Sequence, residues 1–162
     1  RKTQGKLDGL NIVMVGDLKY GRTVHSLLMA LSVFNASFYF ISPDELRMPE
    51  EYKMYLNRLG LKYYESRELE GNLEDADIIY MTRVQKERFS DPIEYERTKN
   101  VYVLKAEMLK ETKPSMRIMH PLPRVNEIHT SVDQDPKAYY FQQTENGVYI
   151  RQAIISLILG LK

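Results

Sequence analysis

Three short segments carry side chains whose types and spacing could do chemistry: GDLKYGR at 16–22, MTRVQKERF at 81–89 and HPLPR at 120–124. The second follows DADIIY, which reads as a buried strand, and sets Arg83, Lys86 and Arg88 around Gln85. A solvated loop accounts for Lys86 and Arg88, but a guanidinium directly after a buried strand asks for a partner. Glu87, four residues after Arg83, could orient it if the chain turns helically there. In GDLKYGR the two glycines either reverse the chain or shape an anion site. Arg22 falls in the first turn of an expected helix, where its charge opposes the helix dipole. The free N–H groups of that turn favour an anion, and an anion would meet both. HPLPR places two prolines two residues apart. Such rigidity marks a positioned carbonyl, a cis bond or a plain stiff turn. Two guanidinium groups near one pocket suit a ligand with two carboxylates, each gripped by a bidentate fork. A dicarboxylate amino acid is the natural candidate, and a phosphorylated ligand is the other.

The elements that must position these segments alternate along the chain. Strands are expected at 10–15, 37–42, 61–65, 77–82 and 116–120. Helices are expected at 21–34, 48–60, 91–99, 105–111 and 149–160. The first helix carries Val24, Leu27, Leu28, Leu31 and Phe34 on one stripe. The second has Pro49 near its start, Glu50 and Glu51 in its first turn and Gly60 at its stop. Residues 67–75 read as a short helix or turn, and 101–104 as a short strand or a helix lead-in. Strands separated by helices imply parallel pairing with right-handed crossovers. The expected fold is α/β, a doubly wound, Rossmann-like, mostly parallel five-stranded sheet of order 3-2-1-4-5 with helices on both faces. That order reverses between the first and fourth strands, where ligands bind outside the carboxyl ends. All three segments leave that edge.

Composition bounds the function. Lys plus Arg is 23 against 22 for Asp plus Glu, a net charge of +1, so neither nucleic acid nor a membrane surface is an expected partner. There is no Cys, which excludes disulfides, thiol catalysis and cysteine-held metals and suits a cytoplasmic protein. No apolar run reaches the roughly 18–20 residues that span a bilayer. The 162 residues read as one domain, 1–162, with an apolar fraction of 43% to fill a core. The chain opens on Arg1 rather than Met, which suits a piece of something longer.

VGDLKYGRTVHSL, YMTRVQKER, MHPLPRVNEI and YYFQQTENGVYIRQA, in this order between Lys6 and Gly160, resemble the carboxyl-terminal half of aspartate carbamoyltransferase. Pro121 stands where the related ornithine enzymes carry Cys, and their ornithine-binding Asp-x-x-x-Ser-Met-Gly stretch is absent. The resemblance implies transfer of the carbamoyl group of carbamoyl phosphate to L-aspartate in pyrimidine synthesis, with no metal and no cofactor. It implies that Arg22 and Arg83, assisted by Gln85, bind aspartate. It implies that backbone carbonyls of Leu122 and Pro123 touch the amino group of carbamoyl phosphate, across a cis Leu122–Pro123 bond. Asp17, Lys19 and Tyr20 match a loop at the domain edge, and 84–98, with Glu87, match a mobile loop that closes over aspartate. No catalytic residue is assigned to this half.

The family's Ser-x-Arg-Thr phosphate loop is absent, as are the Arg, the His and the neighbouring subunit's Lys that accompany it. The chain is therefore expected to be the aspartate-binding domain without its amino-terminal carbamoyl-phosphate domain, and inactive alone. The family's catalytic chains form trimers, often joined by regulatory chains. His120, at a strand end, reads as a loop anchor, His25 as packing and His129 as solvated. The closing helix carries Val148, Ile150, Ala153, Ile154, Ile155, Leu157, Ile158 and Leu159 on more than one face. It is either a buried core helix or docks against the absent domain. A module that binds a dicarboxylate or phosphate without turnover is the alternative reading. A nucleotide-binding Rossmann domain lacks its glycine fingerprint here.

Overall fold

β1 (Asn11–Val15), β2 (Ser37–Ile41), β3 (Tyr63–Ser66), β4 (Ile78–Met81) and β5 (Arg117–Met119) pair in the order β3-β2-β1-β4-β5, every neighbour parallel. The computed structural model describes residues 1–84, 89, 93, 95–96 and 101–161. Val13 stands opposite Tyr39 on one side and Ile79 on the other. β1 is thus the centre of the sheet, and four of its five residues are buried. That is why it reads as a continuous apolar run rather than an alternating one.

The pleat sends alternate residues to two cores. Ile12, Met14, Phe38 and Phe40 meet Val24 and Leu28 of α1 (Arg22–Ser32) and Leu56 of α2 (Glu50–Arg58). Val13, Val15, Ile79, Met81 and Ile118 meet Leu73, Leu104, Leu109, Val132 and Tyr140 on the opposite face. That second face is covered by turns, by two 3-10 helices (Ala106–Leu109 and Thr130–Val132) and by the first residue of α3 (Tyr140–Ile158).

Several expected elements change on folding. The helix expected at 105–111 is the shorter 3-10 turn. The carbonyl of Leu109 accepts the Thr112 N–H, three residues on, at 3.2 Å, together with the Thr112 hydroxyl and Lys137 Nζ at 2.7 Å each, so the chain closes a 3-10 turn there. Residues 67–75 form turns, with the Asn72 side-chain amide on the carbonyl of Glu68 at 2.9 Å. Leu104 makes one parallel bridge to Ile128. Ile93, Tyr95 and Glu96 are helical, and the rest of the helix expected at 91–99 lies outside the described residues.

The closing helix departs furthest from its expected bounds. It begins at Tyr140 instead of 149, and the run QQTENG at 142–147 carries no apolar pattern that would have extended the expected helix to that point. Tyr140 is its one buried residue. Beyond it the helix leaves the sheet, with Leu157 80% and Ile158 77% exposed. The reading as a core helix is overturned: the apolar surface is real and faces outward.

Candidate functional site

β1 and β4 end against one another so tightly that only glycine fits between them. Gly16 has φ of +109°, and a Cβ there would stand 2.3 Å from the carbonyl oxygen of Thr82. The contact is pegged by Thr82, whose hydroxyl donates to the carbonyl of Val15 at 3.0 Å and accepts the N–H of Asp17 at 3.1 Å. Thr82, the residue before Arg83, therefore ties the end of β4 to the start of GDLKYGR. Asp17 is buried and its Oδ1 accepts the N–H of Tyr20, three residues on, at 2.8 Å, which closes the loop. Gly21 lies so near the loop that a Cβ would meet the Asp17 carbonyl at 2.5 Å. The second glycine is a packing requirement as well as a turn.

α1 then begins at Arg22, which is exposed. His25 Nε2 bonds the carbonyl of Leu18 at 2.8 Å, and its ring stacks on Tyr52 with centroids 4.2 Å apart. His25 is thus a packing residue that also ties helix to loop. Lys19 is exposed, with its ammonium 5.0 Å from the Tyr20 ring centre. Tyr20 also meets the edge of Phe89, so the first loop touches the segment after β4.

After β5 the chain makes the HPLPR turn. The Leu122–Pro123 bond is cis and Leu122 has φ of +52°. His120 is 1% exposed and both ring nitrogens are engaged. Nδ1 accepts the N–H of Leu122 at 2.8 Å, and Nε2 donates to Glu127 Oε1 at 2.7 Å. Gln143, in the first turn of α3, holds the backbone of His120 from both sides. It accepts the His120 N–H at 3.2 Å and donates to the His120 carbonyl at 3.0 Å.

The far end of the turn is fixed by Arg124, which forks onto Asp133 with N–O distances of 2.5 and 2.6 Å. The Tyr140 hydroxyl donates to the same carboxylate at 2.5 Å. His129 is exposed and caps the Thr130–Val132 turn through Nδ1, which accepts the N–H of Ser131.

Electrostatics follow this geometry. Burial pushes the Glu127 carboxyl up, but the hydrogen bonds from His120 and nearby backbone N–H groups outweigh it and hold the group below the usual carboxylate range. Asp133 is also held low, mainly by the Arg124 fork. Arg124 is pushed up by the same pair. The Tyr140 hydroxyl is pushed well up by burial and then by Asp133.

The three segments share one cavity of about 170 Å³. Gly21 lines it from the first with Thr23 of α1 just beyond, Thr82 and Arg83 from the second, and His120 to Pro123 from the third. Arg83 is half-buried. Arg22 does not line the cavity, although the residues on either side of it do. Gln85 and Glu87, with most of the expected closing loop, lie outside the described residues. A larger cleft, about 310 Å³, opens elsewhere between Glu70, Glu74, Glu107 and Glu111. Four carboxylates would repel a dicarboxylate or a phosphate, so size does not select the site.

Sequence reasoning missed Thr23, Thr82, Glu127, Gln143 and Asp133. Glu127 and Gln143 had a signal, standing in the motifs MHPLPRVNEI and YYFQQTENGVYIRQA, whereas Asp133 had none.

Residues 8–158 match the family model described as aspartate/ornithine carbamoyltransferase, Asp/Orn binding domain. The aspartate carbamoyltransferase catalytic subunit of Bacteroides thetaiotaomicron is 63% identical over 161 residues, which cover 99% of this chain and 51% of that protein. The catalytic subunit of M. jannaschii aspartate transcarbamoylase superposes with a TM-score of 0.90 at 47% identity, over 98% of this chain and 53% of that one. Trypanosoma cruzi aspartate transcarbamoylase in complex with N-(phosphonacetyl)-L-aspartic acid gives 0.85 at 36% identity, over 95% and 50%. The chain spans about half the length of the curated relatives it matches.

Proposed function

The chain belongs to the aspartate/ornithine carbamoyltransferase family, and on that premise we propose that it is the L-aspartate-binding half of an aspartate carbamoyltransferase. The enzyme moves a carbamoyl group from carbamoyl phosphate to the amino group of L-aspartate, an early step of pyrimidine synthesis in the cytoplasm. The observation that carries this reading is the cavity that holds the Arg83 segment and the Leu122–Pro123 turn together.

In that cavity Arg83 grips one aspartate carboxylate in a bidentate fork. Arg22, between the lining residues Gly21 and Thr23, takes the other with help from Gln85. The carbonyls of Leu122 and Pro123 accept the carbamoyl amino group, so the carbamoyl carbon sits before the aspartate amine. Held this way, the attack becomes effectively unimolecular, an advantage of up to about 7–11 kcal/mol. Stabilising the oxyanion and the departing phosphate falls to the amino-terminal half, outside the 162 residues. Asp17, Lys19 and Tyr20 shape the edge at which the halves meet. The exposed apolar side of α3 docks on that half, which accounts for Leu157 and Ile158 facing outward. Catalytic chains assemble as trimers, with regulatory chains as further partners.

The experiment is Arg83→Lys in the full-length enzyme. Lysine keeps the charge and loses the fork. A charge-assisted hydrogen bond contributes roughly 1.5–3 kcal/mol, so half-saturation by aspartate should rise about tenfold to a hundredfold. Half-saturation by carbamoyl phosphate should move far less. Equal shifts for both substrates would refute the assignment.

A further inference from the structure

We propose that His120 is a positioning residue. Its imidazole, held in one tautomer by Glu127, aims the Leu122 and Pro123 carbonyls at the carbamoyl group. This rests on the reading that those carbonyls meet carbamoyl phosphate.

The tautomer follows from the donors. A backbone N–H can only donate, so the nitrogen facing Leu122 N–H at 2.8 Å, Nδ1, must carry a lone pair. The proton then sits on Nε2, 2.7 Å from Glu127 Oε1. Glu127 is fixed in turn, because its carboxylate also accepts the N–H groups of Val125 and Asn126 at 3.1–3.2 Å. Its three donors sit on a buried carboxylate, which stays ionised and oriented.

Leu122 needs such a hold. Its φ of +52° is one that a leucine rarely adopts. The surrounding contacts must impose it, and Nδ1 is the group that grips the Leu122 amide. Rotating that amide would swing the Leu122 carbonyl directly and the Pro123 carbonyl one residue further on. The imidazole does not need to exchange a proton with substrate to matter. Its ring already spends both nitrogens on holding the turn, which argues against general acid–base work by His120.

Two substitutions in the full-length enzyme separate the two ends of the ring. His120→Asn places a side-chain acceptor near the position of Nδ1 and abandons Glu127. His120→Gln reaches toward Glu127 and leaves the Leu122 N–H without its acceptor. Leaving that amide unsatisfied is worth a factor of about ten or more. The KM for carbamoyl phosphate should therefore rise at least about tenfold further in H120Q than in H120N, with the KM for aspartate shifting equally in the two. Equal KM values for carbamoyl phosphate in the two variants, or a larger defect in H120N, would overturn the proposal.

Should either variant fail to fold, the unsubstituted enzyme still decides. Nitrogen-15 NMR of labelled histidine at neutral pH should show one ring protonated at Nε2 and bare at Nδ1 that keeps this state when carbamoyl phosphate saturates the enzyme. A proton on Nδ1 would sink the proposal. If the unsubstituted enzyme makes no carbamoyl aspartate, the proposed function fails. The NMR result then judges the His120 latch on its own.

Discussion

Gly16→Ala is expected to be among the most damaging single-methyl additions this fold can receive. The added Cβ would stand 2.3 Å from the Thr82 carbonyl oxygen and 2.8 Å from its hydroxyl, so the ends of β1 and β4 must part. Three effects combine. Holding alanine at the φ of +109° costs about 1–3 kcal/mol. Overpacking against backbone adds about 1–3 kcal/mol. The Thr82 hydroxyl bonds to Val15 and Asp17 are strained or broken, at about 0.5–1.5 kcal/mol each. These effects overlap, and the expected sum is about 3–6 kcal/mol.

Gly60→Ala is the control. Its φ of +67° is also positive, but nothing lies within 4 Å of a Cβ there. It should cost only about 1 kcal/mol. Thermal unfolding followed by circular dichroism reads both. At roughly 2–4 °C per kcal/mol for a chain of this size, Gly16→Ala should melt about 6–24 °C lower and Gly60→Ala about 2–4 °C lower. Because Arg83 directly follows Thr82, Gly16→Ala protein that still folds should also bind aspartate more weakly in the full-length enzyme. Equal melting shifts for the two variants would refute the claim that close approach, rather than backbone conformation alone, demands glycine at 16.

Asp133→Asn removes the Arg124 fork and should destabilise the chain by about 1–3 kcal/mol at neutral pH, read from urea midpoints. Asp133 and Glu127 are both held below their ordinary values, so their contribution is complete above the unfolded carboxylate range and is lost as pH falls through the folded values. Stability of the D133N variant should accordingly decline less between about pH 5 and about pH 3 than that of the unsubstituted chain. Paired substitutions Leu157→Glu and Ile158→Lys fall on exposed positions and should change folding stability by less than about 0.5 kcal/mol. They should suppress self-association of residues 1–162 in light scattering, and a large loss of stability would return this end of α3 to the core.

The amino-acid sequence by itself determined the sheet. Buried runs such as NIVMV and IIYM, spaced by amphipathic helices, admit parallel pairing, and the simplest winding is the observed order. It also marked the edge where the three polar segments emerge, because the carboxyl ends of parallel strands follow from their order. The family motifs pointed to the cis bond at Leu122–Pro123, which the structure contains.

Only the tertiary structure decided what holds that edge together. Thr82 pegs Val15 and Asp17 from more than sixty positions away in the chain, and Gln143 clamps His120 from another element. A hydroxyl or amide chooses its partner by distance in space, and no local period encodes that. The 3-10 turn at Ala106–Leu109 was settled in the same way, by Lys137 taking the carbonyl of Leu109. The final helix makes the point in reverse. Its apolar period is visible in the sequence, but a period records which residues avoid water and not what covers them. Whether α3 lay in the core or stood outside it depended on the second face of the sheet, which the turns between Leu69 and Val132 had already filled.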